Sequence, residues 1–148
     1  MKTAQVALAL ALACELSVLS MSWAASAGAL PKEQHKGSIK WMSGGIGKDQ
    51  ADAMRAIASR YNVRLVLAEA RKPSAAFLAG VPVTISDSKG GVLLRIKTDG
   101  PFLFLRLPPG RYSVKAEVAG RALTRSFSVK GKGGQQIALI WPKPPGEH

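Results

Sequence analysis

The spacing of apolar residues changes along the chain, and each change marks a boundary. Residues 6–23 are largely apolar, rich in Ala and Leu. Residues 28–47 show no period. They hold Pro31, three lysines and a Gly44-Gly45 pair, so they read as a flexible basic arm with Trp41-Met42 as its docking point. A helical period follows. Ala53, Met54, Ile57, Ala58 and Tyr61 fall on one stripe, which predicts a helix over 49–60 with its apolar face packed inward. Asp49 is placed as its N-cap and Asp52 in its positive first turn. Asn62 ends the helix. Val63, Leu65 and Leu67 then alternate, which predicts a strand over 63–68 and makes 48–70 a helix–strand unit.

From residue 81 the period becomes two, with turn residues between short runs, as in sandwiches and barrels. Val81, Val83 and Ile85 alternate with Pro82, Thr84 and Ser86. Residues 87–91 form a turn. Val92, Leu94 and Ile96 alternate with Leu93, Arg95 and Lys97, and residues 98–101 turn again. Residues 102–107 are densely apolar, which puts this run in the core. Pro108-Pro109-Gly110 is a rigid turn. Tyr112, Val114, Ala116 and Val118 define the next strand, and Ala119-Gly120 a tight hairpin. Leu123, Phe127 and Val129 mark another strand. Ile137, Leu139 and Trp141 close the sheet before the Pro-rich tail at 142–148. The expected fold is therefore mainly β: a sandwich over 79–141 preceded by a short helix–strand unit. There is no internal repeat.

Several of these residues occur in a familiar order. It runs Val81-Pro82-Val83-Thr84-Ile85, Asp87, Gly90, Asp99-Gly100-Pro101-Phe102, Leu107-Pro108-Pro109-Gly110-Arg111-Tyr112-Ser113-Val114 and Gly120. It resembles the carboxypeptidase regulatory-like family, whose members are prealbumin-like (transthyretin-like) seven-strand β-sandwiches. The resemblance covers residues 79–129, less than half the chain, and its most specific part is the Leu-Pro-Pro-Gly-Arg-Tyr segment. It implies a fold more than an activity. Such domains serve as accessory modules beside proteases, as binding modules and in outer-membrane receptors. Cna-B-type sandwiches share parts of the pattern. Their Lys–Asn crosslink is not expected here, because the only asparagine, Asn62, lies outside the sandwich.

Charge and the N-terminus narrow the function. Lys2, the apolar stretch and Ala25-Ser26-Ala27 follow the order of a secretory signal peptide spanning 1–27. The chain is therefore expected to be periplasmic or secreted. Its exported form should have an intact mass beginning at Gly28. A diacylated chain beginning at Cys14, or an uncleaved form, would overturn this. Ala11-Leu12-Ala13-Cys14 is a poor lipobox, so lipid anchoring is not expected. Cys14 is the only cysteine, so the mature chain has no disulfide partner, thiolate cluster or thiol nucleophile. Lys and Arg number 21 against nine acids, a formal charge of +12. Lys2 and Glu15 cancel, so the mature chain keeps that charge, which favours anionic partners.

Chemistry finds little support. The two histidines, His35 and His148, lie in the arm and at the terminus, where neither predicts a catalytic pair or a metal site. Gly44 to Lys48 fails as a phosphate loop, since Met42 stands where the first glycine belongs and Asp49 follows the lysine. No cofactor is expected. Surface remains. Alternation places Arg95, Lys97, Arg111 and Lys115 outward, and Arg106 with them if the leucines of 103–107 face the core. The leading expectation is an exported, non-catalytic interaction module that contacts an anionic envelope component or a protein. Nucleic acid is disfavoured. One alternative is a carbohydrate-binding module using Trp41, Phe102, Phe104 and Trp141 as an aromatic platform. The other is a small transthyretin-like hydrolase.

Overall fold

The computed structural model describes residues 29–146, so the expected signal peptide, Cys14 and His148 lie outside the described residues. Ten strands form two sheets. In chain order they are β1 (Gln34–Lys36), β2 (Ile39–Gly44), β3 (Val63–Glu69), β4 (Ala76–Phe77), β5 (Pro82–Asp87), β6 (Val92–Lys97), β7 (Phe102–Arg106), β8 (Gly110–Val118), β9 (Arg121–Val129) and β10 (Gln135–Trp141). The helix α1 (Lys48–Ile57) continues into a 3-10 turn (Ala58–Arg60). The first sheet has the order β1-β2-β7-β3-β10, with β4 paired to β3, and the second β6-β5-β8-β9. The mainly β sandwich expected from the sequence is observed.

The alternating strands explain the core. Val63, Leu65 and Leu67 of β3, Leu103 and Leu105 of β7, and Leu139 and Trp141 of β10 face Val83, Ile85, Leu94, Val114 and Ala116 from the second sheet. Each of these side chains is almost completely buried. Burial on this scale is the main stabilising term in a chain this small. The β8–β9 hairpin turns through Ala119 (φ 49°) and Gly120 (φ 74°). Two successive positive φ angles match the right-handed twist of the flanking strands. The Tyr112 hydroxyl donates to the Pro108 carbonyl across the Pro-Pro-Gly turn, and burial raises its pKa.

Two boundaries differ from the expectation. The segment 28–47 is not a flexible arm across its length. β1 and β2 form a hairpin, and β2 pairs with β7 from Lys40↔Arg106 to Gly44↔Phe102. Trp41 faces the sandwich core, while Met42 faces α1. A strand covered on both sides shows no polar alternation, so its sequence lacks the usual strand signature. The helix–strand unit is likewise not separate from the sandwich. β3 lies between β7 and β10, pairing antiparallel with the first and parallel with the second. Its parallel partner is far away in sequence, and local pattern carries no record of it.

α1 covers the outer face of the first sheet. Met54 is wholly buried, and Ala51, Met54 and Tyr61 pack with Met42, Phe102 and Phe104. The N-cap is Gly47 rather than Asp49, with no side-chain cap hydrogen bond. Asp49 sits inside the first turn, where a carboxylate still favours the positive end of the helix dipole. Among the described residues, no helix is long and apolar enough to cross a membrane.

Candidate anion-binding surfaces

The outer face of the second sheet is open to solvent. Thr84 pairs with Arg95 on one side and Lys115 on the other, and Lys115 pairs with Thr124. Arg111 lies opposite Ser128 and Lys97 opposite Pro82. Strands about 4.8 Å apart put the Arg95 and Lys115 backbones about 10 Å from one another. Arg95, Lys97, Arg111 and Lys115 are all exposed. None forms a salt bridge among the described residues. Glu117 shares the face, two residues beyond Lys115 on β8, and partly offsets it. Ser86, Ser113, Thr124, Ser126 and Ser128 add hydroxyls to the face, with Pro82, Ala122 and the exposed Val92 as its apolar positions.

Arg106 does not join this set. Leu103 and Leu105 do face the core, but β7 belongs to the other sheet, so Arg106 points out of the opposite side of the sandwich. Its Nε donates to the Arg60 carbonyl at 3.0 Å, and Nη2 donates to the same oxygen. A cation there satisfies a carbonyl at the negative end of the helix.

The aromatic platform is not present. Trp141 is completely buried, and Trp41, Phe102 and Phe104 are at most 8% exposed. Trp41 and Trp141 fill the sandwich core. Phe102 and Phe104 lie on the outer face as alternation required, but α1 covers that face. The Trp141 indole donates to the Arg121 carbonyl at 2.9 Å, its one polar atom tied to the neighbouring sheet. Among the described residues, the exposed aromatic is Phe77, 59% accessible, which the sequence pattern did not mark.

A second basic surface was not expected from the sequence. The end of the 3-10 turn, the start of β3, the end of β7 and the β9–β10 loop enclose an open groove of about 470 Å³. Arg60, Arg64, Arg106, Lys130 and Lys132 line it, with Ser59, Tyr61, Asn62 and Gly131, Gly133 and Gly134. No carboxylate lines it. The Asn62 amide holds the wall in place: Nδ2 donates to the Leu107 carbonyl at 2.8 Å, and Oδ1 accepts from the Leu107 amide at 3.0 Å. The Gln135 amide donates to the Asn62 carbonyl at 3.0 Å and fixes the loop. A Cβ on Gly134 would sit 3.1 Å from Arg64 Nη1 and 3.2 Å from the Tyr61 carbonyl. Glycine therefore lets the loop close onto the arginine.

Two further ionisable groups stand nearby. Burial first, and then its hydrogen bond to Glu33, push the Tyr61 hydroxyl well above its ordinary pKa. Tyr61 therefore stays neutral and adds no anion to the groove. His35, on exposed β1, lies 3.9 Å from Glu33. Among the described residues, no three His, Cys, Asp or Glu side chains are grouped to hold a metal.

No family model matches the sequence, and no curated protein matches it. Solved structures align with part of the chain. The minor pilin GBS52 of Streptococcus agalactiae aligns with a TM-score of 0.48 and 15% identity, over 58% of this chain and 45% of the pilin. The 5-hydroxyisourate hydrolase of Klebsiella pneumoniae aligns with a TM-score of 0.42 and 17% identity, over 55% and 91%. The Bacillus anthracis TIE protein aligns with a TM-score of 0.42 and 22% identity, over 54% and 16%. This chain thus spans less than half of the pilin and a small part of the TIE protein.

Proposed function

We propose that the chain is an exported, non-catalytic binding module that rests on an anionic envelope surface through the outer face of its four-stranded sheet. The observation that carries this reading is the set of four exposed cations, Arg95, Lys97, Arg111 and Lys115, which share one solvent-exposed sheet face with the single carboxylate Glu117 and form no salt bridge among the described residues. A flat face of spaced cations suits an extended anion better than a small ligand, because its charges cannot converge on one atom. Its field is screened over about 8 Å at about 0.15 M ionic strength. The order Lys2, apolar stretch, Ala25-Ser26-Ala27 supports export. The turn Pro108-Pro109-Gly110 followed by Arg111-Tyr112, pinned by the Tyr112 hydroxyl, supports a carboxypeptidase regulatory-like module.

The test is co-sedimentation with anionic-lipid vesicles across a salt series. Replacing Arg95, Lys97, Arg111 and Lys115 by Gln should weaken binding strongly and change stability by no more than about 0.5 kcal/mol per site. The control replaces four exposed lysines elsewhere, Lys32, Lys36, Lys72 and Lys143. Equal losses in the two variants would leave only net charge and no site. Unchanged binding in the first variant would remove the sheet face from the interaction.

A further inference from the structure

We propose that the groove between the 3-10 turn and the β9–β10 loop is a separate binding site for a multiply charged phosphate group. Five cations converge on it from three separate stretches of the chain: Arg60 and Arg64, Arg106, and Lys130 and Lys132. Convergence in a concavity distinguishes this site from the flat sheet face. Like charges brought together repel, and the one carboxylate close by, Glu33 on the Tyr61 hydroxyl, does not line the groove and offsets five cations only in part. Nor does any of the five form a salt bridge among the described residues. A dianionic or polyanionic group entering the groove would relieve that repulsion at several residues together.

The helix end does not consume this positive charge. Arg106 spends two N–H donors on the Arg60 carbonyl, and Arg64 Nη1 donates to the Ala58 carbonyl at 3.3 Å. A guanidinium carries five donors, so both arginines retain most of theirs. Those bonds also hold the two planar forks in place, so less order is lost when a ligand binds. Arg60, Lys130 and Lys132 are exposed at the mouth, and their side chains make no hydrogen bond among the described residues. Fixed guanidinium forks with mobile ammonium groups around them suit phosphate oxygens, which accept bidentate bonds from arginine and point charges from lysine. The absence of an exposed aromatic in the lining argues against a neutral sugar.

The phosphate can come from a soluble polyphosphorylated compound or from a lipid headgroup, and two probes separate them. Sodium tripolyphosphate is titrated calorimetrically at low salt, and vesicles carrying phosphatidic acid are compared with vesicles carrying phosphatidylserine. The variant is Arg60→Gln with Lys130→Gln and Lys132→Gln, which leaves the structural bonds of Arg64 and Arg106 intact. Its affinity should fall about tenfold or more. The four-cation variant of the sheet face, which loses more charge, should keep its tripolyphosphate affinity within about twofold and keep its preference for phosphatidic acid over phosphatidylserine, even where its overall vesicle binding falls. Loss confined to tripolyphosphate assigns a soluble ligand. Loss confined to phosphatidic acid assigns a headgroup. The proposal is overturned if the sheet-face variant loses as much tripolyphosphate affinity and as much phosphatidic acid preference as the groove variant, or if the parent protein binds neither probe. It does not rest on the sheet-face reading: failure of that reading would leave the groove variant's loss unchanged.

Discussion

Leu105→Ala is expected to lower stability by about 2–5 kcal/mol, toward the upper half of that range. Leu105 is fully buried, on a strand with neighbours on both sides. It pairs with Trp41 on β2 and with Val63 on β3. The cost of such a truncation combines lost transfer energy with the cavity left behind, and the cavity persists where the surroundings cannot relax. β7 is held by ladders on either side, and its outer face is covered by α1 through Phe102 and Phe104. Collapse into the gap would pull three elements out of register. Urea melts should show the midpoint falling with little change in slope. Leu123→Ala, on the edge strand β9 and only partly buried, provides the contrast and should cost less. A loss below about 0.5 kcal/mol at Leu105 would contradict the central placement of β7.

The strands of the second sheet were legible because one of their faces is wet. Val83 and Ile85 against Pro82 and Thr84, or Tyr112, Val114 and Ala116 against Arg111, Ser113 and Lys115, record the period of two directly. The first sheet hides this record. Helix α1 buries Met42, Phe102 and Phe104 on the face that would otherwise be polar, so β2 reads as irregular and β7 as a continuous apolar run. Alternation alone set the direction of Phe102 and Phe104 correctly and their exposure wrongly. Exposure depends on what lies above a residue, and that was α1, folded back from a different part of the chain.

The same division separates the two basic surfaces. Arg95 with Lys97, and Arg111 with Lys115, share a face through strand alternation, which the sequence records, while the β5–β8 pairing that joins the two pairs is longer-range. The groove residues have no such local relation. Arg60 ends a 3-10 turn, Arg64 lies on β3, Arg106 ends β7, and Lys130 and Lys132 lie in a loop. Only the placement of β3 between β7 and β10 brings them together. The glycines at 131, 133 and 134 were the available sequence signal. Of these only Gly134 marks a close approach, to Arg64 and the Tyr61 carbonyl, and a glycine in a lysine-rich loop does not say what it approaches.

Gly100→Ala is expected to cost about 3 kcal/mol or more, at the upper end for overpacking, because the added methyl meets backbone rather than a movable side chain. A Cβ at Gly100 would stand 2.3 Å from the Gly44 carbonyl oxygen, 2.4 Å from its carbon and 2.9 Å from its Cα. Gly44 cannot retreat easily. It pairs with Phe102 at the end of the β2–β7 ladder, and Ser43 Oγ accepts from the Asp99 amide at 2.8 Å. On its other side stand the Pro31 ring and the Gln50 amide, whose Oε1 accepts from the Gly45 amide at 2.8 Å. Relief therefore requires the β6–β7 turn to move away from the end of β2, which breaks the Ser43–Asp99 bond and loosens the ladder beside it. Amide exchange should accelerate first at residues 42–45 and 99–103, before the rest of the first sheet. Gly131→Ala is the control, since nothing lies within 4 Å of a Cβ there, and its effect should stay within about 0.5 kcal/mol. If Gly100→Ala melts no earlier than Gly131→Ala, β2 is not packed against the β6–β7 turn, and the closure of the first sheet by the N-terminal hairpin would have to be abandoned.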